Sequence, residues 1–370
     1  VTHGAGHGAA ERLFGLDLLR ALAVLMVLLG HGSWLLAPAI LADRTFYLLA
    51  VWGVDLFFAL SGFLVGGLII DGVRRDSRWL GEFWLRRWLR TLPNYFLFLA
   101  LNLVLWRAAY GAWPDFALYL VFAQNLLWPQ APFFPESWSL AIEEVFYFLA
   151  PLLAIACLPL ARSPRRVIVL LAVAALAVVA WRAQWALSRV PLDWDADVRK
   201  VAMIRLDCLV YGVVAAYAWR HLPVVRARAG AWLLAGIVLL AATSLAFVLD
   251  VVQTQPLAAV AYFALLPAAF AMMLPWAADF AGAQWSAAMK RQVSNVAIWS
   301  YSLYLTHLPV IRLIDLGGIK ADSLVGCVAQ FLAFCAVAMA WAALNYRLIE
   351  RPIMQSRDGI ATRLGLRKSL

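Results

Sequence analysis

The sequence predicts an all-α integral membrane protein. The expected architecture is a bundle of about ten transmembrane helices with both termini cytoplasmic and one re-entrant or interfacial segment near 116–128. Three observations lead there. The 370 residues are 65% hydrophobic and only 14% charged, against about 25% charged in a soluble domain. Apolar runs of about 20 residues, enough to cross a bilayer, recur along the whole chain. The Lys and Arg residues between those runs fall mostly on one side of the expected membrane.

Spans are expected near 13–36, 48–71, 91–108, 136–160, 167–187, 200–219, 230–250, 256–276, 295–313 and 322–345. The run "FALYLVFAQNLLW" (116–128) is too short for an easy crossing and reads as re-entrant or interfacial. Charge supports that choice. Most of the basic residues then lie in 72–90, 161–166, 220–228, 290–291 and 347–370, on the cytoplasmic side. Arg44, Arg107, Arg189, Arg199, Lys200, Arg312 and Lys320 fall opposite, and Arg20, Arg182 and Arg205 fall within spans. A full crossing at 116–128 would flip every later loop and erase the bias. The domain reading is a flexible cytoplasmic tail (1–12), a transmembrane domain (13–352) and a second cytoplasmic tail (353–370), with no soluble domain appended. The net charge of +10 follows from the positive-inside bias, and no nucleic-acid-binding pattern competes with that reading.

Cys157, Cys208, Cys327 and Cys335 are scattered in apolar segments and form no C-x-x-C, so neither a disulfide framework nor a metal site is expected. His3 and His7 are four apart, but the glycines between and around them argue against a helix that would align them on a metal. "GFLVG" (62–66) is a G-x-x-x-G that fits close helix packing.

Charged side chains inside a span cost about 2.5–3.5 kcal/mol each on insertion scales, so each one needs a partner or a wet cavity. In "RALAVLMVLLGH", Arg20 and His31 project from nearly the same helix face, about 16 Å apart along the axis. Arg20 could clamp an anion or snorkel to the interface. His31 could serve as an acid/base group or as a hydrogen-bonded structural histidine. In "ESWSLAIEEVFYF" (136–148), Ser139, Glu143 and Tyr147 share one face while Glu144 points elsewhere. A buried ion pair with an arginine is the other reading of Glu143. In "SYSLYLTHLP" (300–309), Ser300, Tyr304 and His307 share a face, with Pro309 expected to kink the helix. Asp17 and Arg20 are spaced to pair on one helix. Arg205 and Asp207 are two apart and cannot face each other, so each needs a partner on another span, and Asp55 is a further charge in an apolar run. "RRDSRWLGEFWLRRWLRTLP" (74–93) is either an interfacial helix or a phosphate-binding rim of Arg forks.

These segments together resemble the membrane-bound acyltransferase 3 family of sugar and glycolipid O-acyltransferases. "GLDLLRALAVLMVLLGH" is similar to its arginine–ten residues–histidine motif, and "GVDLFFALSGFLVG" to its second-span motif. "RRWLRTLP" resembles its R-x-x-R through Arg87 and Arg90, and "SWSLAIEEVFYF" its W-S-L-x-x-E-x-x-F-Y. "RLDCLVYG", "SYSLYLTHLP" and "YRLIERP" follow in order, so the likeness covers about 13–352.

The resemblance implies transfer of an acyl group, usually acetyl, from cytoplasmic acyl-CoA to a hydroxyl of a carbohydrate or glycolipid. The protein would sit multi-pass in a bacterial cytoplasmic membrane, in contact with membrane lipid. Acetyl-CoA is then a substrate, with no permanently bound cofactor and no metal. Relatives with a fused extracytoplasmic domain suggest a separate extracytoplasmic partner protein here. On this reading Arg20, Arg87 and Arg90 hold the CoA phosphates. His31 is the general base or a transient acyl carrier, and Glu143 orients or charge-balances it. Asp55, Ser139, Tyr147, Arg205, Asp207, Tyr304 and His307 bind the acceptor or support the site. The alternative is a multi-pass transporter or flippase, which would also bury charges around a cavity.

Overall fold

A computed structural model describes residues 13–36, 44–75 and 78–366. The expected tail at 1–12, with His3 and His7, lies outside the described residues. Among the described residues the regular structure is all helical, joined by turns and irregular segments, with no strand. The helices in chain order are α1 (Phe14–Gly32), α2 (Arg44–Gly72), α3 (Arg78–Tyr110), α4 (Ser137–Cys157), α5 (Pro164–Leu187), α6 (Asp207–His221) and the short α7 (Pro223–Ala227). After these come α8 (Ala229–Val248), the short α9 (Val251–Thr254), α10 (Pro256–Asp279), α11 (Ala287–Leu316), α12 (Leu324–Asn345) and α13 (Arg351–Arg363). Eight of the described segments are long and apolar enough to cross a membrane: those of α1, α2, α3, α4, α5, α8, α10 and the run Leu324–Arg363. Two more helices pack inside the bundle. α6 is only 15 residues long and lies along α2; α11, with 30 residues, carries too many polar groups to read as apolar and lies along α1. Together they fill the ten places that the sequence predicts. The protein is an all-α integral membrane protein.

The α2–α6 contact is close because the glycines let backbones touch. A Cβ on Gly62 would stand 2.0 Å from the Leu209 carbonyl oxygen, and one on Gly212 would stand 2.2 Å from that of Ala59. The "GFLVG" motif is therefore a packing device, as expected. The helices that carry no site, α5 and α8, turn apolar side chains such as Val173, Leu176, Leu234 and Val238 outward, where a bilayer replaces the missing protein contacts.

Several boundaries differ from the sequence reading. The expected third span at 91–108 is one continuous helix from Arg78 that runs through Pro93, so the Arg/Trp stretch is the first half of α3. A membrane bundle tolerates such a proline because neighbouring groups satisfy the freed carbonyl. The expected sixth span at 200–219 does not start at 200. A π-helix at Trp194–Arg199 and a 3₁₀ turn at Met203–Arg205 precede α6. Asp193 organises that turn by accepting from the Asp195 and Ala196 N–H groups at 2.9 and 3.0 Å. Segment 116–128 makes one short 3₁₀ helix, Ala117–Val121, and no crossing helix. Residues expected as a C-terminal tail are helical to Arg363. This helix, α13, lies against α3, where Asp358 pairs with Arg86 at 2.8 Å. α11 continues past Pro309 to Leu316. All four cysteines are free.

Candidate active site

A cavity of about 310 Å³ lies among α1, α2, α3, α4 and α11, at the lower end of the range for small-molecule sites. Arg20, Arg87 and Arg90 line it. Arg87 and Arg90 form no ion pair among the described residues, and the Arg87 guanidinium stands 5.8 Å from the centre of the Tyr147 ring. α4 contributes Ser139, Glu143 and Tyr147, the three residues that its periodicity placed on one face. The Tyr147 hydroxyl donates to Glu143 Oε2 at 2.9 Å and also meets Ser61 Oγ. α11 contributes Ser300, Tyr301 and Tyr304, while Val54, Phe57, Leu60 and Leu64 of α2 give the wall its apolar part.

Glu144 does point elsewhere, accepting from Thr91 Oγ1 at 2.7 Å. Behind the arginines lies a buried polar knot. Glu350 of "YRLIERP" accepts from Ser302 Oγ at 3.0 Å and from Asn94 at 3.4 Å, and Asn345 donates to Ser302 at 2.9 Å. The knot ties the start of the C-terminal segment to α3 and α11. Ser61 and Glu350 both belong to motifs quoted above, yet neither follows from the spacing of charges.

The cavity ends at Tyr304. Its hydroxyl is bonded to Ser139 Oγ at 2.7 Å and donates to the Glu136 carbonyl at 3.1 Å, and Phe57 meets its ring edge-on at 6.3 Å. Beyond this wall, with ring centres 5.7 Å from that of Tyr304, lies His307. His307 Nε2 is 3.1 Å from His31 Nδ1. His307 is fully buried, whereas His31 is half-buried. Neither histidine lines the cavity. The expected orientation of His31 by Glu143 is corrected on this point: Glu143 bonds Tyr147 inside the cavity, and the group that meets His31 is His307. Helical spacing could align residues on one helix but could not show which helix would face it.

At the same end of the bundle as His31, the turn before α6 forms a charged clamp. Arg199 donates to Asp195 Oδ1 at 2.8 Å and to the Tyr47 hydroxyl at 3.1 Å, and it lies 4.7 Å above the Trp138 ring. Lys200 bonds the other Asp195 oxygen. Burial by itself would raise the Asp195 carboxyl, but Arg199 and Lys200 outweigh it and hold the group down at about 2.

Asp55, Arg205 and Asp207 do not line the cavity. Arg205 pairs with Asp55, and Arg182 grips Asp207 through two bonds of 2.8 and 2.9 Å. All four side chains are 0% exposed, and none lines the cavity. The expectation that Arg205 and Asp207 find partners on other spans holds, and the result is two internal ion pairs. They tie α6 and the turn before it to α2 and α5. Asp17 accepts from Ser294 Oγ at 3.2 Å, joining α1 to α11. No group of three or more metal-ligating side chains occurs among the described residues.

Comparison with known proteins agrees with the motifs. The family pattern described as an acyltransferase domain matches residues 13–347. Peptidoglycan O-acetyltransferase OatA of Listeria monocytogenes is 25% identical over 368 residues, covering 92% of this chain and 56% of that protein. O-acetyltransferase OatA of Staphylococcus aureus is 32% identical over 156 residues, covering 37% of this chain and 24% of that protein. The chain thus spans about half the length of the Listeria relative or less of the others it matches. No solved structure gives a significant match. With the family pattern extending from the start of α1 to the end of α12, this chain belongs to the membrane-bound acyltransferase 3 family.

Proposed function

We propose that the protein is a membrane O-acyltransferase that moves an acyl group, with acetyl first in line, from acyl-CoA to a hydroxyl of a carbohydrate such as the peptidoglycan named in its relatives. The observation that carries this reading is a cavity with three arginines and, across a single tyrosine from it, a pair of hydrogen-bonded histidines. We place the arginine end on the cytoplasmic face of a bacterial inner membrane, as the distribution of Lys and Arg favours.

Arg87 and Arg90 suit the phosphates of the donor: both line the cavity and neither makes a direct ion pair among the described residues, although Glu143 lies in the same cavity and acts on both across space. The cavity is too small for the whole donor and suits its slender thioester arm. The arm enters along α1, whose rise sets about 16 Å between Arg20 and His31. Tyr304 then has to yield, breaking its bond to Ser139, for the thioester to come within reach of His31. His31 takes the proton of the acceptor hydroxyl as the oxygen attacks the thioester carbon. The C–S bond breaks, and the departing thiolate takes that same proton from the His31 imidazolium, which returns His31 to its neutral form. The partly exposed position of His31 fits an acceptor arriving from the far side.

Radiolabelled acetyl-CoA binding to the purified protein in nanodiscs tests the donor half. Each charge-assisted bond contributes about 1.5–3 kcal/mol, so Arg87→Ala and Arg90→Ala should each weaken binding by about ten- to a hundredfold. Wild-type protein that does not bind acetyl-CoA would favour a transporter, and unchanged affinity in the double variant would remove the arginines from the donor site.

A further inference from the structure

We propose that His307 is the positioning residue of this site, holding His31 in the tautomer whose Nε2 is free to accept a proton. The inference rests on the reading of His31 as the base and adds the group that makes it one.

The two rings meet through His307 Nε2 and His31 Nδ1 at 3.1 Å, with ring centres 5.0 Å apart. Between two neutral imidazoles one nitrogen donates and the other accepts, so the pair has two arrangements. In one, His31 Nδ1–H donates and His31 Nε2 keeps its lone pair. In the other, His307 Nε2–H donates and His31 Nε2 carries a hydrogen, which makes it useless as a base.

The surroundings choose between them. His307 is 1% exposed, so bulk water does not decide its tautomer. Its second nitrogen, Nδ1, has no hydrogen-bond partner of good geometry among the described residues. The Leu303 and Tyr304 carbonyls, one turn back on its own helix, act on the ring. Carbonyl oxygens only accept, so Nδ1 is the nitrogen that bears the hydrogen. His307 Nε2 must then carry the lone pair and accept from His31 Nδ1–H. The Val27 carbonyl, one turn back along α1, is a further acceptor beside the His31 ring. His31 is left with a lone pair on Nε2. When that nitrogen takes the acceptor's proton, the imidazolium keeps its bond to His307. The charged side chains acting on His31 are Arg199 and Lys200, from the turn before α6.

Nitrogen-15 NMR of the histidine-labelled, full-length wild-type protein in nanodiscs reads the tautomer without any assay of activity. The sequence has five histidines, so single His→Gln variants assign the signals. The expected spectrum shows His31 protonated at Nδ1 and bare at Nε2; a hydrogen on His31 Nε2 overturns the proposal. Kinetics give a second reading. His307→Ala should lower kcat by about a hundredfold, the low end of what a general base contributes, with the KM for acetyl-CoA within about twofold. His307→Gln, whose side-chain carbonyl can accept the same bond, should recover about tenfold of that loss. A Gln variant as slow as the Ala variant would point to packing alone and sink the positioning role. Full activity in His31→Ala would refute the underlying reading, while the wild-type spectrum would still report the tautomer.

Discussion

His31→Ala protein, purified in nanodiscs, is expected to transfer no acetyl group to cell-wall glycan above background while still binding acetyl-CoA like wild type. General base catalysis contributes about 10²–10⁴ in rate, which sets the size of the loss. Binding should survive because the arginines proposed to hold the donor, Arg20, Arg87 and Arg90, line the cavity and His31 does not. His31 also lies on the other side of Tyr304, whose hydroxyl stays anchored on Ser139 and the Glu136 carbonyl in the variant. The substitution removes a half-buried ring at the end of α1, so the fold should hold. Glu143→Gln makes a useful contrast. Glu143 lies inside the cavity and bonds Tyr147, so its loss should act on the donor rather than on proton transfer. If His31→Ala transferred acetyl at the wild-type rate, the histidine pair would have no part in the chemistry.

Asp207→Ala is expected to lose most of its folded protein in mild detergent, seen as collapse of the monodisperse size-exclusion peak and a large drop in thermal midpoint. Arg182 and Asp207 are both 0% exposed and joined by two bonds of 2.8 and 2.9 Å. Removing one partner strands a guanidinium among α5, α6 and α10, a loss of about 3–5 kcal/mol for a buried pair. The Ile204 carbonyl at 2.9 Å remains as an acceptor but cannot neutralise the charge. Replacing both partners together, Arg182→Leu with Asp207→Leu, should restore much of the loss, because the cost is that of an unpaired charge and not of the missing attraction. A single Asp207→Ala variant as stable as wild type would show that the pair does not hold α6 in place. The same logic applies to Asp55 and Arg205.

The residues that were legible early are those whose meaning is local. Ser139, Glu143 and Tyr147 follow from four-residue steps along a helix, and all three line the cavity. Arg87 and Arg90 were visible as an Arg fork beside tryptophans, and they line it as well. Arg205 and Asp207 could be known to need distant partners because two-residue spacing points them apart. Which partners they would find was not legible: Asp55 lies 150 positions from Arg205 in sequence. For the same reason spacing could not say whether these charges face a ligand or one another. Arg199 looked like a loop cation, yet it is 3% exposed and clamped between Asp195, Tyr47 and Trp138.

By itself the sequence determined the membrane-embedded, all-helical architecture, because hydropathy and helical period are properties of contiguous residues and a bilayer demands both. It also determined which polar side chains had to have a purpose, because each one costs free energy in lipid. Only the tertiary structure decided what each purpose was. His31 and His307 are 276 positions apart, and Glu143 faces Tyr147 instead of His31. Partnership inside a bundle depends on how helices rotate and slide against one another. That is settled at contacts such as Gly62 on Leu209, where the summed packing of many residues, and no single motif, fixes the register.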